Sequence, residues 1–224
     1  MAEGDSPNGK EGDGVELARL FEQSNAFQNA AAAVLEHAAA PTTRRGFLAL
    51  GFGAVSLEHW ASQRLLLAEG LHVTGFALVR LQFEAIIRTI WILECADDAW
   101  LARFVEPMPD GQLEEPVLGP SVPNMLAVMA AKLPQIAGML AELKGGAWAP
   151  MHSYVHGGVR PIVQSLAGVT AYQVSAVLRN ANGLGLLAMN AMAIASGDPT
   201  LQGAIRQLQL DFLDCLPPLK QQPA

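Results

Sequence analysis

Arg80, Glu84 and Arg88 stand four residues apart, which puts two guanidinium groups and a carboxylate on one face of a helix. His152 and His156, also four apart, put two imidazoles on one face of another. A guanidinium grips phosphate or carboxylate through a planar fork of N–H donors. An imidazole can move a proton near neutral pH or ligate a metal. Trp91 falls within about 20° of Arg80 on a helical wheel, so an aromatic ring shares the charged face and suggests a shielded groove. The alternatives are a salt ladder in open solvent, each pair contributing about 0.2–0.5 kcal/mol, or a buried Arg-Glu-Arg triad that serves only the fold.

The histidine pair has two possible uses and one bland reading. Metal binding needs a third and fourth ligand, and neither an H-E-x-x-H sequence nor a carboxylate cluster lies nearby. No metal and no cofactor are therefore expected. As a general base, one imidazole suits proton transfer. The bland reading is two side chains that hold a helix end through hydrogen bonds. Gly157 and Gly158 follow directly and let a ligand or a neighbouring backbone come close. Arg160 has the same spacing but precedes Pro161, so it is expected to leave the helix. Gly51-Phe52-Gly53 and Gly183-Leu184-Gly185 lack the strand a dinucleotide fingerprint requires. There is no phosphate-binding G-x-x-x-x-G-K-[ST] loop and no G-x-S-x-G serine.

These residues sit on helices that the apolar pattern marks out. Ala77 to Glu94 reads as the central helix, apolar over an arc of about 200°, with the charged stripe on the remainder. Residues 1–14 are glycine-rich and acidic and read as a disordered tail. Helical spacing then runs from Val15 to about Ala40, where Pro41 ends it. A second helix spans about Thr43 to Glu69. Its first-turn arginines, Arg44 and Arg45, suggest a twin-arginine export signal, but a full helix precedes them and no small-residue cleavage site follows. Against the helix dipole they want an acidic partner, for which Glu16 or Glu22 would serve. Residues 106–123 hold five prolines and read as a long loop. Helix resumes from Asn124 to Leu143, with Pro134 to kink or split it and Gly145-Gly146 to close it. A short piece with the histidines, a small-residue helix from about Thr170 to Ala195 and a last helix to Leu216 complete a single domain over 15–217, with 218–224 a tail. No stretch alternates with period two for long enough to be a strand. The expected class is all-α, a bundle of about seven helices.

The totals narrow the function. A hydrophobic share of 51% in 224 residues is ample for one core. Only 16% of residues are charged, against a usual share of about 25%, so part of the surface is expected to be hidden between subunits. A net charge of −7 argues against coating duplex DNA. The two cysteines, Cys95 and Cys215, have no metal-ligand spacing and fit a reducing cytoplasm. The longest low-charge runs fall short of the ~20 residues of a membrane span.

Leu78-Val79-Arg80 with Glu84, then Arg88 and Trp91, followed far along by Ser153-Tyr154-Val155-His156-Gly157, resembles uncharacterised bacterial helical domains with an L-x-R-x-x-x-E helix ahead of an S-x-x-H-G helix. These are similar to the HEPN-like superfamily. The resemblance covers about residues 50–195. It implies a helical bundle that dimerises and belongs either to metal-independent ribonucleases of toxin or antiphage type or to modules that bind nucleotides or partners. In the catalytic HEPN motif an arginine precedes the histidine by four to six residues. Here Met151 stands in that place before His156, and after Arg179-Asn180 the histidine position holds Leu184. The expectation is therefore a cytoplasmic, dimeric binding module without catalysis. It would hold a small anionic ligand or RNA through Arg80, Glu84, Arg88, Trp91, Ser153 and Arg160. The alternative is a ribonuclease with His156, aided by His152, as general base and Arg80 or Arg88 on the phosphate.

Overall fold

The computed structural model describes residues 7–104 and 119–218, whose regular secondary structure is all helical. Nine α-helices are described: α1 Pro7–Glu36, α2 Arg44–Ala68, α3 His72–Glu94, α4 Asp98–Phe104, α5 Val122–Lys132, α6 Pro134–Val155, α7 Val159–Ala167, α8 Ala171–Ser196 and α9 Pro199–Asp211. A 3-10 turn, Leu213–Cys215, closes the described chain. No helix among these residues is long and apolar enough to cross a membrane.

Helices α2, α3 and α8 form the centre, each packed on the other two. In α3, Phe83, Ile86, Ile87 and Ile92 are fully buried. Around this centre lie two apolar clusters. One joins α3 to α5, α6 and the start of α2, with Met125, Met129 and Leu140 sealed inside. The other joins α1 and α9 to α8 through Phe27, Trp60, Leu178 and Met189. The small residues of α8 let α2 come close: a Cβ on Gly185 would stand 2.5–2.7 Å from the Trp60 ring. Two helix starts are capped as their sequences dictate. Thr43 accepts from the Gly46 N–H, and Thr170 with Gln173 forms a reciprocal capping box.

Several boundaries differ from expectation. The first helix begins at Pro7, not Val15, so residues 7–14 belong to it and not to a tail; residues 1–6 and 219–224 lie outside the described residues. Of the proline-rich loop, 105–118 also lie outside them, and Val122 already opens α5. Nine helices in place of about seven follow from three additions, less the histidine piece that merges into α6. Asp98–Phe104 stands as α4, Pro134 splits the run into α5 and α6, and Val159–Ala167 stands as a helix of its own. Gly145-Gly146 does not close a helix: α6 runs through them and through Pro150 to Val155. Pro150 withholds an N–H from the Gly146 carbonyl, but Gly146 is exposed, so solvent can satisfy that acceptor. Arg45 takes Asp98 as its acid at 2.9 Å, not Glu16 or Glu22. It also donates to the Ile92 carbonyl at 2.6 Å, near the negative end of the α3 dipole, which offsets its own unfavourable place at the start of α2.

Candidate functional site

Helices α3 and α6 run antiparallel. Phe76 meets Tyr154 edge-on at 5.5 Å, and two turns on, Phe83 meets Trp148 at 6.3 Å. Continuity of α6 across Pro150 makes one stripe of Lys144, Trp148, His152 and His156, each four residues from the next. Opposite lies the Arg80, Glu84, Arg88 stripe. The two faces meet at Arg80.

Four groups hold the Arg80 guanidinium. Its Nε donates to Glu84 Oε1 at 2.8 Å. Trp148 lies beneath it, 4.6 Å from ring centre to Cζ, a cation–π contact. Its Nη1 reaches Nδ1 of His152 at 2.7 Å and Nε2 of His156 at 3.2 Å. Guanidinium can only donate. Each imidazole must therefore present a lone pair to it, so both rings are neutral in this arrangement and carry their proton on the other nitrogen. The rings stand 4.3 Å apart, centre to centre. The Arg80 and Glu84 side chains are 16% and 26% exposed, whereas both histidines lie open at the surface. The site is a shielded base with an open mouth. Among the described residues no hydrogen bond is made by Arg80 Nη2, which leaves two donors at that mouth.

The other expected site residues divide. Arg88 is half-buried two turns along α3; burial draws its pKa down, while the Glu84 charge raises it. Trp91 is not part of the groove. It is 6% exposed and sits edge-on to Trp100 at 4.8 Å. The wheel angle that places it beside Arg80 ignores axial distance: the two are eleven residues apart, about 16 Å along the helix. Ser153 turns to the chain instead, accepting the Arg160 N–H at 3.2 Å, and Arg160 is exposed in the first turn of α7. Trp148 and Lys144 were missed at the sequence level. Their four-residue spacing from His152 was the signal, hidden by reading Gly145-Gly146 as a stop. Among the described residues no three His, Cys, Asp or Glu side chains gather as a metal site. Cys95 and Cys215 are free thiols, and burial pushes Cys215 up to about 11, which keeps it protonated and unreactive.

A family model matches residues 53–218. The chain belongs to DUF6988, a family of unknown function. The DUF6988 match starts inside α2 and takes in α3 to α9, so it contains every residue of the Arg80 cluster and leaves α1 outside. No curated protein and no solved structure matches the chain.

Proposed function

We propose that this protein is a HEPN-like binding module that works as a homodimer in the cytoplasm, without catalysis of its own, and holds a small anionic group at Arg80, His152 and His156. One observation carries the reading: a single guanidinium nitrogen bridges two open imidazoles while the rest of the group is braced by Glu84 and Trp148. An oxyanion entering the mouth takes the two Nη2 donors and the ring N–H groups without any rearrangement of the arginine. Lys144, 5.0 Å from the centre of the same Trp148 ring, adds positive charge in a chain that is negative overall. Both histidines are already engaged as acceptors, which leaves no lone pair free to act as a base until the contact with Arg80 breaks.

Calorimetric titration with inorganic phosphate tests this. The wild type binds, and Arg80→Gln weakens binding at least about tenfold, the loss of one charge-assisted contact of ~1.4 kcal/mol or more. Equal binding by both, or none by the wild type, removes the reading. The second reading, metal-independent RNA cleavage, draws on the same geometry, because Arg80 supplies from another helix the arginine absent at Met151. A short RNA left intact by the wild type sets that reading aside. Cleavage that disappears in His156→Ala, with the fold retained, would replace the first reading by the second.

A further inference from the structure

Helix α7 is mounted inside out. Val159, Ile162, Val163 and Leu166 recur at three and four and form one apolar face. Such a face ordinarily turns to the core. Here the four are 71%, 59%, 52% and 84% exposed, and no residue of α7 is buried. The half-covered side is the other one, Pro161 and Gln164, with the Tyr154 hydroxyl donating to the Gln164 side-chain oxygen. The bundle thus holds α7 by its polar back. Val155 at the end of α6 and Tyr172 at the start of α8 are exposed apolar neighbours along the chain.

We infer that α7 is a self-association surface, packed in the dimer against α7 of a second copy about a two-fold axis. The inference rests on the dimer half of the reading above and not on the anion half. Three observations select this occupant. Val155, Val159, Ile162, Val163, Leu166 and Tyr172 together expose on the order of 500–700 Å² per copy, so two copies bury on the order of 1,000–1,400 Å², the size at which specific interfaces begin. A two-fold axis sets the patch against itself, which an uncharged patch tolerates; Arg160 is the one ionisable residue of α7 and lies beside the face, not in it. An anionic membrane would call for a cluster of basic residues on the helix, whereas Arg160 is the single basic residue of α7. Because α7 begins three residues after His156, the two Arg80 clusters flank the interface.

Light scattering behind size exclusion, at tens of micromolar protein, reads the result. The wild type runs at twice the chain mass of 23.8 kDa. Ile162→Asp with Leu166→Asp runs at the single mass, its dimer dissociation constant raised about a hundredfold or more. Phe47→Asp, on an exposed residue of α2, leaves the dimer intact. Val163→Cys, at the middle of the face, is joined to a second copy by a short bis-maleimide, and Phe47→Cys is not; this arm stands even if the aspartates impair folding. A monomeric wild type overturns both the dimer reading and this surface. A dimer that survives the α7 aspartates, or a dimer lost in Phe47→Asp alone, overturns the surface and leaves the dimer standing elsewhere. Phosphate titration of the monomeric variant keeps the anion reading separately testable.

Discussion

Asn182 and Arg80 each hold several partners, but one is sealed inside the bundle and the other stands at its edge. Asn182, fully buried on α8, accepts from the Trp60 indole at 2.8 Å and donates to Ser24 Oγ and the Cys215 carbonyl, both at 2.8 Å. It ties α1, α2, α8 and the C-terminal turn together. Nearby, Gln63 donates to Gln82 at 2.7 Å, and Gln82 donates to the Ala181 carbonyl at 2.9 Å. This inner set is neutral and nearly saturated; only Ser56 Oγ and Gln63 Oε1 are buried without a partner among the described residues. The Arg80 set is charged, open on one side and has donors left over. Neutral saturated polarity in a core fixes helix registry, because every misfit leaves a group unpaired. Charged unsaturated polarity at a surface is the arrangement a ligand can use.

If that contrast holds, the largest stability effect comes from the inner set. Asn182→Leu strands the Trp60 N–H, the Ser24 hydroxyl and a carbonyl, and should cost about 3–4 kcal/mol in urea unfolding. Phosphate binding should not change. A loss under about 1 kcal/mol would mean that the four elements do not depend on this tie. Next is Gly185→Ala. Its methyl would press on the flat of the Trp60 ring, which is pinned by Asn182 and packed edge-on to Phe27 at 5.0 Å. Overpacking there should cost about 2 kcal/mol, read as a lower urea midpoint at unchanged slope.

Glu84→Ala probes the outer set. Removal of a carboxylate from between fully buried arginines would cost about 3 kcal/mol or more, and an exposed ladder would lose under about 1 kcal/mol. The observed pair lies between these limits. Arg80 keeps both histidines and Trp148, so the expected loss is about 1–2 kcal/mol. Phosphate affinity should fall with it, because the guanidinium loses its brace. A full 3 kcal/mol would show that the outer set is structural after all and erase the contrast with Asn182.

Most of the helix layout was legible because it is written in local terms. Gly70 ends α2, Thr43 and Thr170 start helices, and the three-and-four spacing of α3 and α8 is plain, whereas α1 stops at Glu36, short of the Ala40 expected from Pro41. The approach of the histidine face to the arginine face also follows from a simple rule, since polar stripes in an apolar bundle tend to be shared. What could not be read is whatever depends on height along an axis or on a distant partner. Trp91 has the right angle and the wrong height. Asp98 becomes the partner of Arg45 only once α4 folds back to the start of α2. Asn182 looks like a flaw in an apolar run until Ser24, Trp60 and Cys215 surround it. Helix α7 misleads in the opposite way: its pattern promises a buried face, and the bundle turns that face out.

The smallest effect compares histidines on the two sides of the contrast. His152 and His156 lie open beside Arg80, whereas His59 on α2 is partly enclosed. Burial lowers the His59 pKa, with the Glu58 charge opposing it more weakly. The sign follows from proton counting. Below about pH 6.5 an unfolded chain begins to protonate this imidazole while the folded one still resists, so the unfolded state binds more protons. The contribution of His59 is therefore complete above that pH and declines as the pH falls toward its lowered folded value. Urea unfolding at pH 7.5 and 5.5 should show a smaller drop for His59→Gln than for the wild type. Every other residue is common to the two proteins, so the difference between the two drops isolates position 59. Equal drops would mean that the ring is solvated in both states, and that only the neutral inner set around Asn182 and Gln82 is sealed.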